Sequence, residues 1–275
     1  MHRPQLGFDR STGVAPVRRP EPRKTPWKYW LVRGAYGVVL ALTGCTSNNV
    51  HGSGDRAGGP AAVWMGAAAL PRTDPAAQTP PSRTVFTNWG TGEASVLVIE
   101  REPTALKPGG RWQSRRLVGP SEGAVKVDSV QTYERMADGS VALAEEIDED
   151  EGVDVVFEPP MLVIPAGLAP GTAGRTQEFR MRVYPKGDRS HIRRQGPAKV
   201  EIVAAGGEMI DAPGGKRVAL RIDSTLNADL APAKVVNQTT TYYVDGQGMI
   251  AERDHERTTV MGIPVRNNRS DWMIR

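Results

Sequence analysis

From residue 84 onward the chain is written in short apolar runs separated by Gly, Pro, Asp and Asn. Residues 95–100 hold an unbroken Val96-Leu97-Val98-Ile99 run, which suits a strand buried on both faces. Residues 124–133 alternate, with Val125, Val127 and Tyr133 predicted on one face. Asp138-Gly139 supplies a two-residue hairpin turn, because both residues tolerate positive φ, and residues 140–144 return. After an acidic turn, 153–157 form the next strand. The second half repeats the grammar. Residues 178–184 alternate strictly, with Arg180 and Arg182 on the wet face. Residues 199–203 run towards a turn at Gly206-Gly207, 218–223 follow a turn at Gly214-Gly215, and 239–244 and 249–253 flank Asp245-Gly246. Residues 258–265 predict a last strand, with Trp272 as a plug. No sustained 3.6-residue period occurs, which argues against crossover helices and a parallel α/β sheet. The pattern predicts an all-β fold: an antiparallel, strongly bent sheet, open barrel or sandwich built from hairpins. A Pro- and Gly-rich break at 165–175 is where the body could divide into two sheets.

Ahead of this body the pattern changes twice. Residues 34–44 are uncharged and mainly apolar, between Arg33 and Cys45. They are too short to cross a bilayer as a helix, which takes roughly 20 residues. They fit the apolar stretch of a secretory signal, with positive charge before it and small residues at its end. Residues 46–82 draw 21 of their 37 positions from Gly, Ala, Pro and Ser, so they read as a flexible linker. As a coil they would span on the order of 35 Å. The apolar run 63–70 inside the linker reads as a stray patch, a short helical turn or a docking peptide.

Composition changes the picture mainly through where the charge sits. The chain has 35 Lys+Arg and 31 Asp+Glu, but residues 1–44 hold eight of the basic residues and two of the acidic ones. The remainder, 27 basic against 29 acidic, is slightly negative, which removes the case for nucleic acid as a partner. A mean hydropathy of -0.40 argues against a polytopic membrane protein. A single cysteine excludes an internal disulfide framework and a multi-cysteine zinc site.

That cysteine closes the motif Leu42-Thr43-Gly44-Cys45, which resembles the lipobox of bacterial lipoproteins. The resemblance implies that the Cys45 thiol accepts a diacylglyceryl group and that the chain is cleaved between Gly44 and Cys45. It also implies acylation of the new N-terminus, palmitate being one such chain. Two or more acyl chains anchor stably, whereas one holds only marginally. The chain then divides into a signal peptide with a long basic N-region (1–44), a lipid-attachment Cys with its linker (45–83) and a β-rich domain (84–275). The domain would sit in the periplasm or at the cell surface, anchored to the cell membrane or the outer membrane, and Thr46 after the cysteine leans towards the outer membrane.

Within the body, Phe157-Glu158-Pro159-Pro160 with the apolar run and Pro170-Gly171 turn that follow resembles a segment of exported, β-rich bacterial proteins of unknown function. Thr241-Tyr242-Tyr243-Val244-Asp245-Gly246-Gln247-Gly248 is similar to a late hairpin of the same group, and 209–215 to one of its turns. This resemblance covers roughly 120–262. Its motifs are turns and core positions, so it implies a fold and no catalytic residues.

Few constellations carry chemistry. Arg189, Arg193 and Arg194 form a local basic cluster able to hold a phosphate or an acidic glycan, or simply a solvated loop. The acidic run 145–154 lacks the glycine and terminal glutamate of an EF-hand and reads as a solvated hairpin tip. The four histidines have no metal-ligand spacing, so neither a metal nor a cofactor is expected. No Gly-x-Ser-x-Gly elbow, Ser-x-x-Lys or P-loop occurs. The sequence therefore predicts a non-catalytic envelope domain used for binding or structure, partnered by the membrane and by an envelope protein or a hydrophobic ligand. A carrier or sensor of a hydrophobic ligand and an unrecognised hydrolase are the alternatives.

Overall fold

The computed structural model describes the backbone of 63–64 and residues 83–89, 95–103, 107–168 and 173–275. The signal stretch, Gly44, Cys45 and nearly all of the linker lie outside the described residues.

Among the described residues, alternation and tight turns build one antiparallel sheet of thirteen strands. They are β1 (Val63–Trp64), β2 (Arg83–Asn88), β3 (Val96–Arg101), β4 (Arg111–Gly119), β5 (Lys126–Arg135), β6 (Val141–Asp148) and β7 (Val153–Ile164). There follow β8 (Arg175–Pro185), β9 (Arg194–Ala212), β10 (Gly215–Leu230), β11 (Ala233–Val244), β12 (Gly248–Val260) and β13 (Ile263–Ile274). A 3-10 turn at Glu122–Ala124 is the sole helical element among the described residues. Consecutive strands are neighbours from β2 to β13, and β13 pairs with β2. β8 pairs with β9 from Arg175↔Ile202 to Val183↔Arg194, so twelve strands close into a barrel. Beyond Ile202 the β9 edge leaves β8, and β1 covers part of it through Val63↔Met209 and Trp64↔Glu208. Closure removes the open edges at which other chains would pair.

The barrel is the bent-sheet form of the sequence expectation, with three differences in detail. Gly206-Gly207 is not a turn: β9 runs through it, and Gly206 takes φ 130 where the register shifts opposite Arg221 and Ile222. The glycine serves a bulge, which bends a strand without ending it. The break at 165–175 does not divide the sheet, because β7 and β8 pair again from Val153↔Pro185 to Glu158↔Arg180. The last strand starts at the end of the 258–265 run rather than filling it, and it carries Trp272 into the core as one of its own residues. Further register shifts opposite Arg116/Leu117, Thr132/Tyr133 and Tyr242/Tyr243 curve the sheet towards closure.

The inward face of β7–β10 is apolar and packed. Val155, Phe157, Met181, Val200, Ile202, Ile222 and Leu226 are all buried, and Phe157 meets Phe179 edge to face at 5.8 Å. Each such side chain contributes about 1.5–3 kcal/mol by leaving water. A smaller cluster of Ile210, Ala219, Tyr242, Ala251 and Met273 is buried on the opposite face of the sheet. The outward positions of β8 and β9 include Glu178, Arg180, Lys199 and Glu201, unlike the apolar band of a lipid-spanning barrel.

Gly196 marks where two backbones come closest. A Cβ there would stand 1.6 Å from the Asp229 carbonyl oxygen. Gly196→Ala should therefore destabilise the barrel by about 3 kcal/mol in chemical denaturation. Gly123→Ala, where a Cβ meets open space, should change stability by less than about 0.5 kcal/mol.

Candidate functional site: a charged sector of the barrel interior

A barrel of about eight strands leaves just enough interior for side chains to fill, so twelve strands must either use large residues or leave space. Both occur here, on different sectors. Alternation along β4 puts Trp112, Ser114 and Arg116 on the inward face, opposite Tyr133, Gln131 and Ser129 of β5. The register continues to Glu146 and Asp148 of β6, opposite Gln131 and Ser129. From the other side, Glu252, Asp254 and Glu256 of β12 share the inward face with Thr241, Thr239 and Asn237 of β11. Trp272, Ser270 and Asn268 of β13 face the same way.

Two ion pairs cross this interior between strands that are not neighbours. Arg116 donates from Nη2 to Glu252 Oε1 at 2.7 Å and from Nη1 to Oε2 at 3.4 Å. The Glu252 side chain is fully buried and that of Arg116 nearly so. Arg266 of β13 lies 3.0 Å from Glu151, in the β6–β7 turn, and 3.4 Å from Glu256. Glu256 also accepts from the Thr258 hydroxyl at 2.9 Å. Between these struts lies a cavity of about 450 Å³, lined by Arg116, Asp128, Glu252, Asp254, Glu256 and Trp272 among others.

Burial sets the proton states. For Arg116 burial acts to lower the pKa, but Glu252 beside it more than offsets this and holds the guanidinium above its ordinary value. Burial pushes the Asp254 carboxyl up to about 8, although Thr239 donates to it at 2.7 Å. Asp148 is pushed up to about 7, again chiefly by burial. Glu146 is raised well above the carboxylate range by burial and then by the Asp148 charge. It closes a chain in which the Tyr133 hydroxyl donates to Gln131 at 2.7 Å and Gln131 donates to Glu146 at 3.2 Å.

These positions correct the reading of 145–154 as a solvated tip. Glu146 and Asp148 are fully buried inside the barrel, while Glu145 and Ile147 on the outer face and the turn beyond reach water. Burial costs a carboxylate its hydration, which is why both hold their protons to a higher pH. The basic cluster is split between surface pairs and a strand. Arg189 donates to Glu145 at 2.7 Å and lies 3.7 Å from Asp154. Arg193 is exposed at the end of the β8–β9 loop, and Arg194 is half-buried at the start of β9. Among the described residues no group of three His, Cys, Asp or Glu is arranged to hold a metal.

Sequence reasoning does not single out the inward acid row of β12. Its signal was the period-two alternation of Glu252, Asp254 and Glu256 with Arg253, His255 and Arg257. That pattern makes one face acidic and the other basic, without saying which is inside.

No family model matches the sequence, and no curated protein matches it. Two solved structures are similar. One is a protein from Bacteroides fragilis described as exported and of YmcC-like fold, 14% identical, with a TM-score of 0.38. The match covers 70% of this chain and 91% of that one. The other is the hypothetical lipoprotein YmcC of Escherichia coli, 12% identical, with a TM-score of 0.34, covering 72% of this chain and 88% of that one.

Two outcomes follow from the interior charges. Arg116→Met leaves Glu252 buried without its partner and should cost about 3–5 kcal/mol in urea denaturation, most of it recovered when Glu252→Leu is added. The Asp254 pKa is higher in the fold than in the unfolded chain, so its contribution is complete at low pH. It is lost as pH rises from the unfolded value, 3.8, through about 8, because the unfolded chain ionises first. Asp254→Asn should therefore raise Tm more at pH 8 than at pH 5, as read by thermal melts across that range.

Proposed function

We propose that this chain is an exported envelope lipoprotein, held to a membrane by acyl chains on Cys45. Its barrel is a non-catalytic module that receives a small, polar, hydrogen-bonding ligand in the cavity between β4 and β12–β13. The anchor rests on Leu42-Thr43-Gly44-Cys45 at the exit of an uncharged stretch, 38 residues ahead of Arg83.

The observation that carries the ligand reading is a cavity whose innermost charges are already paired. Arg116 is held by both oxygens of Glu252, and Arg266 lies between Glu151 and Glu256. Asp254 keeps its proton near neutral pH and so can donate as well as accept. Such a lining offers many hydrogen bonds and little net charge, which suits a neutral, hydroxyl-rich molecule better than an ion. The volume is in the range of small-molecule sites. A carrier of hydrophobic ligands finds less support, because Phe157, Met181, Ile202 and Leu226 already fill the apolar sector. The lining also speaks for binding over chemistry: with both oxygens engaged by Arg116, Glu252 is poorly placed to act as a base.

Protein extracted from native membranes tests both halves at once. Intact mass should show residues 1–44 removed and lipid on Cys45, and Cys45→Ala should move the protein to the soluble fraction with its barrel folded. Native mass spectrometry of the same material should reveal a small neutral adduct, lost in Ser270→Leu, which fills the cavity. An unmodified thiol would refute the anchor. Adduct-free protein that binds no sugar or polyol in titration calorimetry would refute the ligand.

A further inference from the structure

The four exposed large apolar side chains among the described residues are Ile192, Met261, Ile263 and Val265. Strand direction places all four at one end of the barrel. β8, β10 and β12 run towards this end, and their chains turn back through 186–193, Ala231-Pro232 and Met261-Gly262. These three turns are neighbours around the rim, and the Met261 N–H donates to the Pro232 carbonyl at 3.1 Å.

The Met261-Gly262 tip is not what its turn asks for. Met261 has φ 52 and is 84% exposed. A two-residue turn of this kind prefers Asn or Asp before Gly. The tips at the other end of the barrel place only glycines, Gly139 and Gly246, at positive φ, whereas Met261 is the one non-glycine there among the described residues. Methionine adds nothing to the turn and puts an apolar side chain in water, beside Ile263 at 67% and Val265 at 50% exposure. Behind the tip, Arg257 is exposed on β12, and Lys234 stands beside the β10–β11 turn.

We infer that this rim is a bilayer-contact surface, with Met261, Ile263 and Val265 entering the headgroup–acyl boundary of an anionic membrane while Arg257 meets its phosphates. The inference deepens the reading of a membrane-held barrel, from which it takes only the nearness of a bilayer. Three side chains on a hairpin tip are far short of the roughly 800 Å² per partner of a stable protein interface. They match the way apolar tips and basic residues share a membrane surface. The rim also carries acids, but Lys186 faces Glu149, Lys126 faces Asp150, Arg266 faces Glu151 and Lys234 faces Asp229, while Asp188 is held by Ser190 and His191 in its own loop, away from the tip. Reach is sufficient. The 18 residues from Cys45 to Val63 extend to at most about 60 Å, against roughly 40 Å along the strands from Met209 to the tip.

The test places a fluorophore at the tip. In the lipidated protein Cys45 has no free thiol, so Met261→Cys introduces a single labelling site, and Asp245→Cys at the opposite end is the control. Each is labelled with an environment-sensitive dye and held in vesicles of phosphatidylcholine and phosphatidylglycerol that contain nitroxide-labelled lipid. Quenching at 261 should exceed that at 245 by about threefold or more. It should fall to the control level when Ile263→Ser and Val265→Ser are added, with the fold unchanged by circular dichroism. Equal quenching at the two ends overturns the inference. So does an emission shift at 261 that follows protein density and not lipid, which would assign the tip to a second copy. If the parent protein itself takes up dye, the anchor reading fails alone, and the same comparison on a Cys45→Ala background still decides the rim.

Discussion

The ladder between β8 and β9, from Arg175↔Ile202 to Val183↔Arg194, makes the rest of this structure tenable. Without it the twelve strands would form an open sheet, with an edge at each side and one face carrying Glu146, Asp148, Glu252 and Glu256. Closure turns that face into an interior. Only then do the ion pairs, the packed apolar sector and the cavity exist. Arg116 and Glu252 are 136 residues apart and sit on strands that never touch as neighbours, so their contact is a consequence of the closed shape.

The interior is divided by physical necessity. A twelve-strand circumference encloses more space than a single layer of aliphatic side chains fills. Along β7–β10 the space is taken up by aromatic, Met and long aliphatic residues. Across β4–β6 and β11–β13 it is taken up by charged groups that reach over the lumen and hold one another. Such pairs seldom add stability compared with a packed apolar core, because each ion gives up its hydration. What they provide is a lining with hydrogen-bonding capacity and carboxyls whose protons persist towards neutral pH. A polar cavity inside an otherwise ordinary β core is the result.

The two ends of the barrel differ in a way that the fold alone does not require. The Asp138-Gly139 and Asp245-Gly246 tips lie at one end, and the Met261-Gly262 tip, with Ile263 and Val265 beside it, at the other. Polar tips need no explanation beyond solvation. An apolar tip in an unfavourable turn conformation points to an outside partner, and the lipid attachment proposed at Cys45 would bring a bilayer near.

Local rules were legible in the chain. The period-two alternation located most of the strands, and Asp138-Gly139, Gly214-Gly215 and Asp245-Gly246 marked true reversals, because turn geometry is decided within four residues. β4 escaped notice because its inward residues include Ser114 and Arg116, polar groups that hide an apolar period. Gly206-Gly207 misled for a related reason, since a positive φ serves a bulge as well as a turn. The resemblance of Leu42-Thr43-Gly44-Cys45 to a lipobox belongs wholly to the sequence, being a pattern of neighbouring residues. The acid row of β12 was visible as a pattern, but alternation cannot say which face turns inward. That choice, the buried state of Glu146 and Asp148, the struts across the lumen and the gathering of Ile192 with Met261 on one rim were decided by the tertiary structure. Each depends on strands far apart in sequence being brought together by barrel closure, and no local preference encodes that.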